Sequence, residues 1–156
     1  MKWYFIALAC TWIFVSCSSV KNNTATQELP VLQPASVLQK YRIWIKTGHE
    51  EISGIMVLKY TNNQWRGSLM SVAGAKVFDF IADGGSCRLL NVIPQMNKWY
   101  IRRTVESDVA FLMWGNRAKN VKKKNLQQLP DGTLLLKNTR RKIEYTFKLL
   151  EHEITG

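Results

Sequence analysis

Residues 53–90 read SGIMVLKYTNNQWRGSLMSVAGAKVFDFIADGGSCRLL. Three of the apolar runs lie within them: Gly54 to Tyr60, Gln64 to Ser71 and Lys76 to Asp83. A fourth, Cys87 to Ile93, follows Asp83-Gly84-Gly85, the strongest hairpin signal in the chain. Thr61-Asn62-Asn63 turns the chain between the first two, because Asn tolerates the left-handed backbone that tight hairpins need. Val72-Ala73-Gly74-Ala75 is a corner of small residues. Within these strands Trp65, Gly67 and Leu69 share one face, and so do Phe78, Phe80 and Ala82. Gly67 inside a strand predicts a bulge or the close approach of something bulky.

Pro94 to Lys98 forms a turn that leads to Trp99 and Tyr100, read as strand. Thr104 to Trp114 then reads as a helix, with Thr104 as its cap and Glu106 and Asp108 in its first turn. Val105, Val109 and Leu112 fall at i, i+4 and i+7 and make one apolar stripe. Gly115 is the C-terminal stop, and Arg117 and Lys119 complement the negative helix end.

Upstream, Tyr41, Ile43 and Ile45 alternate with Arg42, Trp44 and Lys46, which is strand periodicity. Thr47 to Glu50 is a hairpin loop. Downstream, Pro130-Asp131-Gly132 is a turn and Thr133 to Lys137 a strand. After a turn at Asn138 to Arg141, Ile143, Tyr145, Phe147 and Leu149 face one way while Lys142, Glu144, Thr146 and Lys148 face the other. One wet face per strand belongs to an antiparallel sheet. The fold class expected is mainly β (α+β): a curved antiparallel sheet or incomplete β-barrel covered by a short helix.

The first 16 residues read as a leader. Lys2 is the positive end, and Trp3 to Val15 is an apolar stretch right for a signal peptide and short for a membrane span. Phe14-Val15-Ser16-Cys17 resembles a bacterial lipobox, so Cys17 is the expected lipidation site. Residues 17–38 then read as the acylated cysteine and a polar tether, and 39–156 as a single domain. With no acidic residues just after Cys17, the anchor is expected in the outer membrane, facing the periplasm.

The chain carries 22 Lys+Arg against 11 Asp+Glu, a formal net charge of +11, or +10 without the leader and its Lys2. Two groups stand out: Arg117, Lys119, Lys122, Lys123 and Lys124, then Lys137, Arg140, Arg141 and Lys142. If their flanking strands pair, both form a basic rim that meets an anionic lipid surface or an acidic envelope protein. Solvated lysines that guard sheet edges explain them equally well. Nucleic acid is not a partner expected of an exported lipoprotein.

Catalytic and cofactor motifs are not apparent. The two histidines, His49 and His152, fall far apart, and no Cys/His cluster has metal-ligand spacing. Asp79 and Asp83 share a strand face but sit about 13 Å apart. Cys87 reads as a buried structural thiol. The expectation is a non-enzymatic protein with no cofactor and no metal.

From Tyr41 to Leu150 the pattern resembles the outer-membrane lipoprotein-sorting (LolA/LolB-like) superfamily and its small lipoprotein relatives. The resemblance rests on the strand ending near Gly74, the KVFDFIADGG strand and hairpin, and the NKWY strand before the helix. It implies an incomplete barrel lined with apolar side chains, covered by helical structure, that holds acyl chains. On that footing Trp65, Leu69, Phe78, Phe80, Tyr145 and Phe147 line the concave face and take a lipid or an acylated protein. Each is also what an ordinary core would contain. A second reading keeps the sheet packed and makes the protein an accessory lipoprotein docking through its basic rim.

Overall fold

The computed structural model describes residues 32–153. The expected leader, the Cys17 lipidation site and the first part of the tether lie outside them. Eight strands form one antiparallel sheet: β1 Leu38–Thr47, β2 Glu50–Thr61, β3 Gln64–Ser71, β4 Lys76–Asp83, β5 Ser86–Leu90, β6 Lys124–Gln128, β7 Leu134–Asn138 and β8 Ile143–Glu153. One α-helix, α1 Trp99–Trp114, joins β5 to β6. The spatial order is β5-β4-β3-β2-β1-β8-β7-β6. That is a cyclic meander cut between β5 and β6, with α1 bridging the cut. The sheet curls into a half-barrel around the helix, as expected.

The hairpins form where their turn chemistry allows. Asn62 and Asn63 both take positive φ, 50° and 60°, and Gly84 and Gly85 turn β4 into β5 with 46° and 79°. The alternation also holds. The inner row runs through paired residues Tyr41, Met56, Leu69 and Phe78, and on the other side of β1 through Ile43, Phe147 and Leu134. All seven are buried. Gly67 is a close approach, as its place in a strand predicts: a Cβ there would sit 2.6 Å from the Phe80 ring.

Several expectations need correction. The helix begins at Trp99, so Trp99 and Tyr100 open it instead of forming a strand. Thr104 is not its cap; its hydroxyl donates back to the Tyr100 carbonyl at 2.8 Å. Glu106 is not in the first turn either. Its carboxylate accepts from Leu89 N–H at 3.0 Å, and Arg102 donates to the Leu89 carbonyl at 2.9 Å. Together they occupy backbone groups that β5, an edge strand, would otherwise leave open to another chain. Cys87 to Ile93 shortens to Ser86–Leu90 as strand. The folded part also starts before residue 39. Leu32 is buried in the core and the Ala35 carbonyl accepts from Tyr60 N–H at 3.1 Å, so the last residues of the expected tether belong to the fold. Leu149, expected to face inward, is exposed although it pairs with buried Tyr41 on β1.

Two ends of the half-barrel differ. Around the β4–β5 hairpin, the chain after α1 folds down on Gly85, with Lys119 N–H donating to the Gly85 carbonyl at 3.0 Å. Trp65, Phe80, Phe111 and Met113 are almost fully buried near that end. The opposite end carries the β1–β2, β3–β4 and β7–β8 turns and the start of α1.

Candidate functional site

Under the first half of α1 the interior is not filled. A cavity of about 430 Å³ lies between the helix and the sheet, within the size range of small-molecule sites. Its helical wall is Ile101, Val105, Val109 and Leu112, which includes the whole apolar stripe expected from the sequence. Across from it stand Ile43 and Ile45 of β1, Met56 of β2, and Ile143, Tyr145 and Phe147 of β8.

Local backbone geometry explains the third wall. The β3–β4 register shifts between Leu69 and Met70, so that Leu69 pairs with Phe78 and Met70 with Lys76. Val77 is the extra residue. At such a bulge strict alternation breaks, and Leu69, Met70, Val77 and Phe78 all face the cavity. The bulged strand also comes close to its neighbour: Gly54 sits between Ile43 and Ser71. A Cβ on Gly54 would lie 2.4 Å from the Met70 carbonyl oxygen.

Of the six side chains expected to line the concave face, Leu69, Phe78, Tyr145 and Phe147 do line the cavity. Trp65 and Phe80 do not. They pack at the closed end, 0% and 1% exposed. Phe80 is held there because its ring fills the space Gly67 leaves.

One polar cluster borders the cavity, and the sequence reading missed it. Asp108 is buried on α1, and its carboxylate accepts from Asn138 Nδ2 at 2.8 and 3.1 Å and from Tyr145 Oη at 2.8 Å. Lys124 Nζ lies 3.1 Å from the same carboxylate, with side-chain exposures of 5% and 2%. Lys124 also donates to the Ser107 carbonyl at 2.6 Å and to the Ser107 hydroxyl. Burial pushes the Lys124 ammonium pKa down, and Asp108 pulls it back. Burial pushes the Tyr145 phenol well above its ordinary 10.0, and the Asp108 charge adds to this. A signal existed: Asp108 lies three residues after Val105 and four before Leu112, on the apolar stripe itself. A carboxylate there must be paired. The cluster ties α1 to β6, β7 and β8, and it presents to the cavity a charge already balanced.

The expected basic rim divides. Lys124 is not on it, being buried beneath α1. Arg117 lies at the closed end, its guanidinium 5.5 Å from the Trp114 ring, with Lys119 beside Gly85. Lys137 pairs with Glu144 at 3.1 Å. Arg140, Arg141 and Lys142 sit exposed in the β7–β8 turn, and Lys122 and Lys123 join them, because Thr139 N–H donates to the Lys123 carbonyl at 2.9 Å. Only Arg141 of these lines the cavity.

Other reactive groups lie elsewhere. Burial pushes the Cys87 thiol up to about 12, the value of a poor nucleophile. Asp79 is held below its ordinary 3.8 by hydrogen bonds from Asn91 and Ser68, on the outer face. Among the described residues no three His, Cys, Asp or Glu cluster as metal ligands would. No helix among them is long and apolar enough to cross a membrane. A scan of protein-family models finds none that matches the chain, and comparison with curated proteins finds no match.

Proposed function

We propose that the protein binds a lipid, an acyl chain or the acyl chain of another lipoprotein in the cavity under α1, without chemistry. The observation that carries this reading is the cavity itself, about 430 Å³ walled mainly by aliphatic and aromatic side chains. A dry apolar cavity gains from apolar occupants, by about 0.8 kcal/mol for each methylene buried. The lipobox-like Phe14 to Cys17 supports, as part of this reading, a lipid anchor on Cys17 and a place on the periplasmic side of the outer membrane. The half-barrel with an apolar hollow is also what a resemblance to the lipoprotein-sorting superfamily implies, and a part in lipid or lipoprotein sorting follows from it. The docking alternative rests on a filled sheet interior, and the cavity weighs against it.

The test is titration of residues 18–156 with a fluorescent acyl-chain probe. These residues include the whole described core, from Leu32 to Phe147. The probe is expected to bind the wild type, and Val109→Phe, which fills the cavity with its own ring, is expected to lose it while keeping its circular dichroism and melting transition. Equal binding by both proteins would place the probe elsewhere and remove the carrier reading.

A further inference from the structure

The cavity wall is apolar, and its charged members are two: Asp108 and Arg141. They differ in kind. Asp108 is buried and its charge is met by Lys124, Asn138 and Tyr145. Arg141 stands at the mouth, in the β7–β8 turn next to Ile143, and is exposed. Its backbone N–H donates to Asn138 Oδ1 at 3.1 Å, which fixes the turn. Its guanidinium has no hydrogen-bond or ion-pair partner among the described residues, whereas neighbouring Lys137 is taken by Glu144.

We propose that the cavity is built for a single-chain anionic amphiphile, with its head group on Arg141 and its chain running inward past Ile143 and Phe147. The inference rests on the carrier reading and narrows it. A planar guanidinium offers a fork of donors that matches a carboxylate or a phosphate, and it does so best beside a low-dielectric wall. A volume in the lower part of the range of small-molecule sites suits one chain better than two. Asp108 does not oppose an anion at the mouth, since its charge is balanced by Lys124 within the cluster.

Dodecanoate, dodecyl phosphate and dodecanol, titrated into residues 18–156 at about pH 8, where a carboxylic acid is ionised, separate the head group from the chain. Wild type should bind the anions roughly threefold to tenfold tighter than the alcohol, the scale of a charge-assisted contact at an exposed site. Arg141→Gln should erase that preference and leave dodecanol binding unchanged. Arg141→Lys should keep part of it. The ratio of dodecyl phosphate to dodecanoate tells which head group fits, and a preference for either supports the inference. Equal binding of dodecanol and the anions by wild type would overturn it while leaving the carrier reading intact. So would an Arg141→Gln protein that weakens all three alike. Failure of all three to bind wild type would overturn both.

Discussion

The closed and open ends of the half-barrel are made from the same sheet, and side-chain size separates them. At the closed end Gly67 lies between Leu58 and Phe80, and the Phe80 ring occupies the space above it. Trp65, Phe111 and Met113 complete a packed layer. At the open end Gly54 lies between Ile43 and Ser71, and no aromatic ring folds over it. The bulge at Leu69 and Met70 then turns both residues toward the hollow. Both glycines are therefore close approaches, Gly67 to the Phe80 ring and Gly54 to the backbone of the bulged strand at Met70.

The largest effect should come from truncating the closed end. Phe80→Ala is expected to destabilise the fold by about 3–5 kcal/mol, the usual cost of emptying a well-packed aromatic site. Ile143→Ala, on a half-buried cavity residue, should cost only about 1–2 kcal/mol, because little packing is lost where space already exists. Urea denaturation of the two variants measures the contrast, and equal losses would mean that the open end is packed as tightly as the other.

Much of the strand framework was legible in the sequence, but this contrast was not, and the reasons are physical. Alternation in residues 41–45 and 143–149 and the glycine and asparagine turns marked most strands, since these are local signals. β6 was invisible. Its KNLQQ carries one buried apolar residue, Leu126, and the strand exists because β7 pairs with it. The helix start was missed because Lys98 caps it without a side-chain hydrogen bond, and aromatic residues such as Trp99 and Tyr100 read equally well as strand. Leu69, Phe78, Tyr145 and Phe147 were named as wall residues on the resemblance together with their strand faces. Trp65 and Phe80 share those faces, so only their distance along the strands, a tertiary fact, removes them from the site. Lys124 looked like one of a run of solvated lysines; its partner Asp108 is distant in sequence.

The Asp108 cluster sharpens the comparison, for it joins the helix to the far side of the cut between the edge strands. Asp108→Asn should cost about 3 kcal/mol, because it leaves the Lys124 ammonium buried without its counter-charge. Asp108→Leu combined with Lys124→Met should recover most of that loss in the same denaturation assay. If the double variant is as unstable as the single one, the cluster does more than balance its own charges.

A smaller effect concerns pH. Burial raises the phenol pKa of both Tyr145 and Tyr41 above the ordinary 10.0. Groups raised in the folded state contribute stability in full below their unfolded value, and that contribution is lost as pH rises through the folded one. The lowered Lys124 works in the opposite direction, but only up to its unfolded value of 10.5. Stability should therefore fall as pH climbs above about 10, and Tyr145→Phe should flatten that alkaline limb in a melting series. An unchanged limb would assign the loss to other groups.

The central claim is that the open end is a site and not a packing defect. Native mass spectrometry of residues 18–156, purified from bacteria without detergent, tests it most directly. A single adduct of acyl-chain mass is expected, retained by wild type and absent from Val109→Phe. Wild-type protein that carries no adduct and takes up none on incubation with dodecanoate would contradict it.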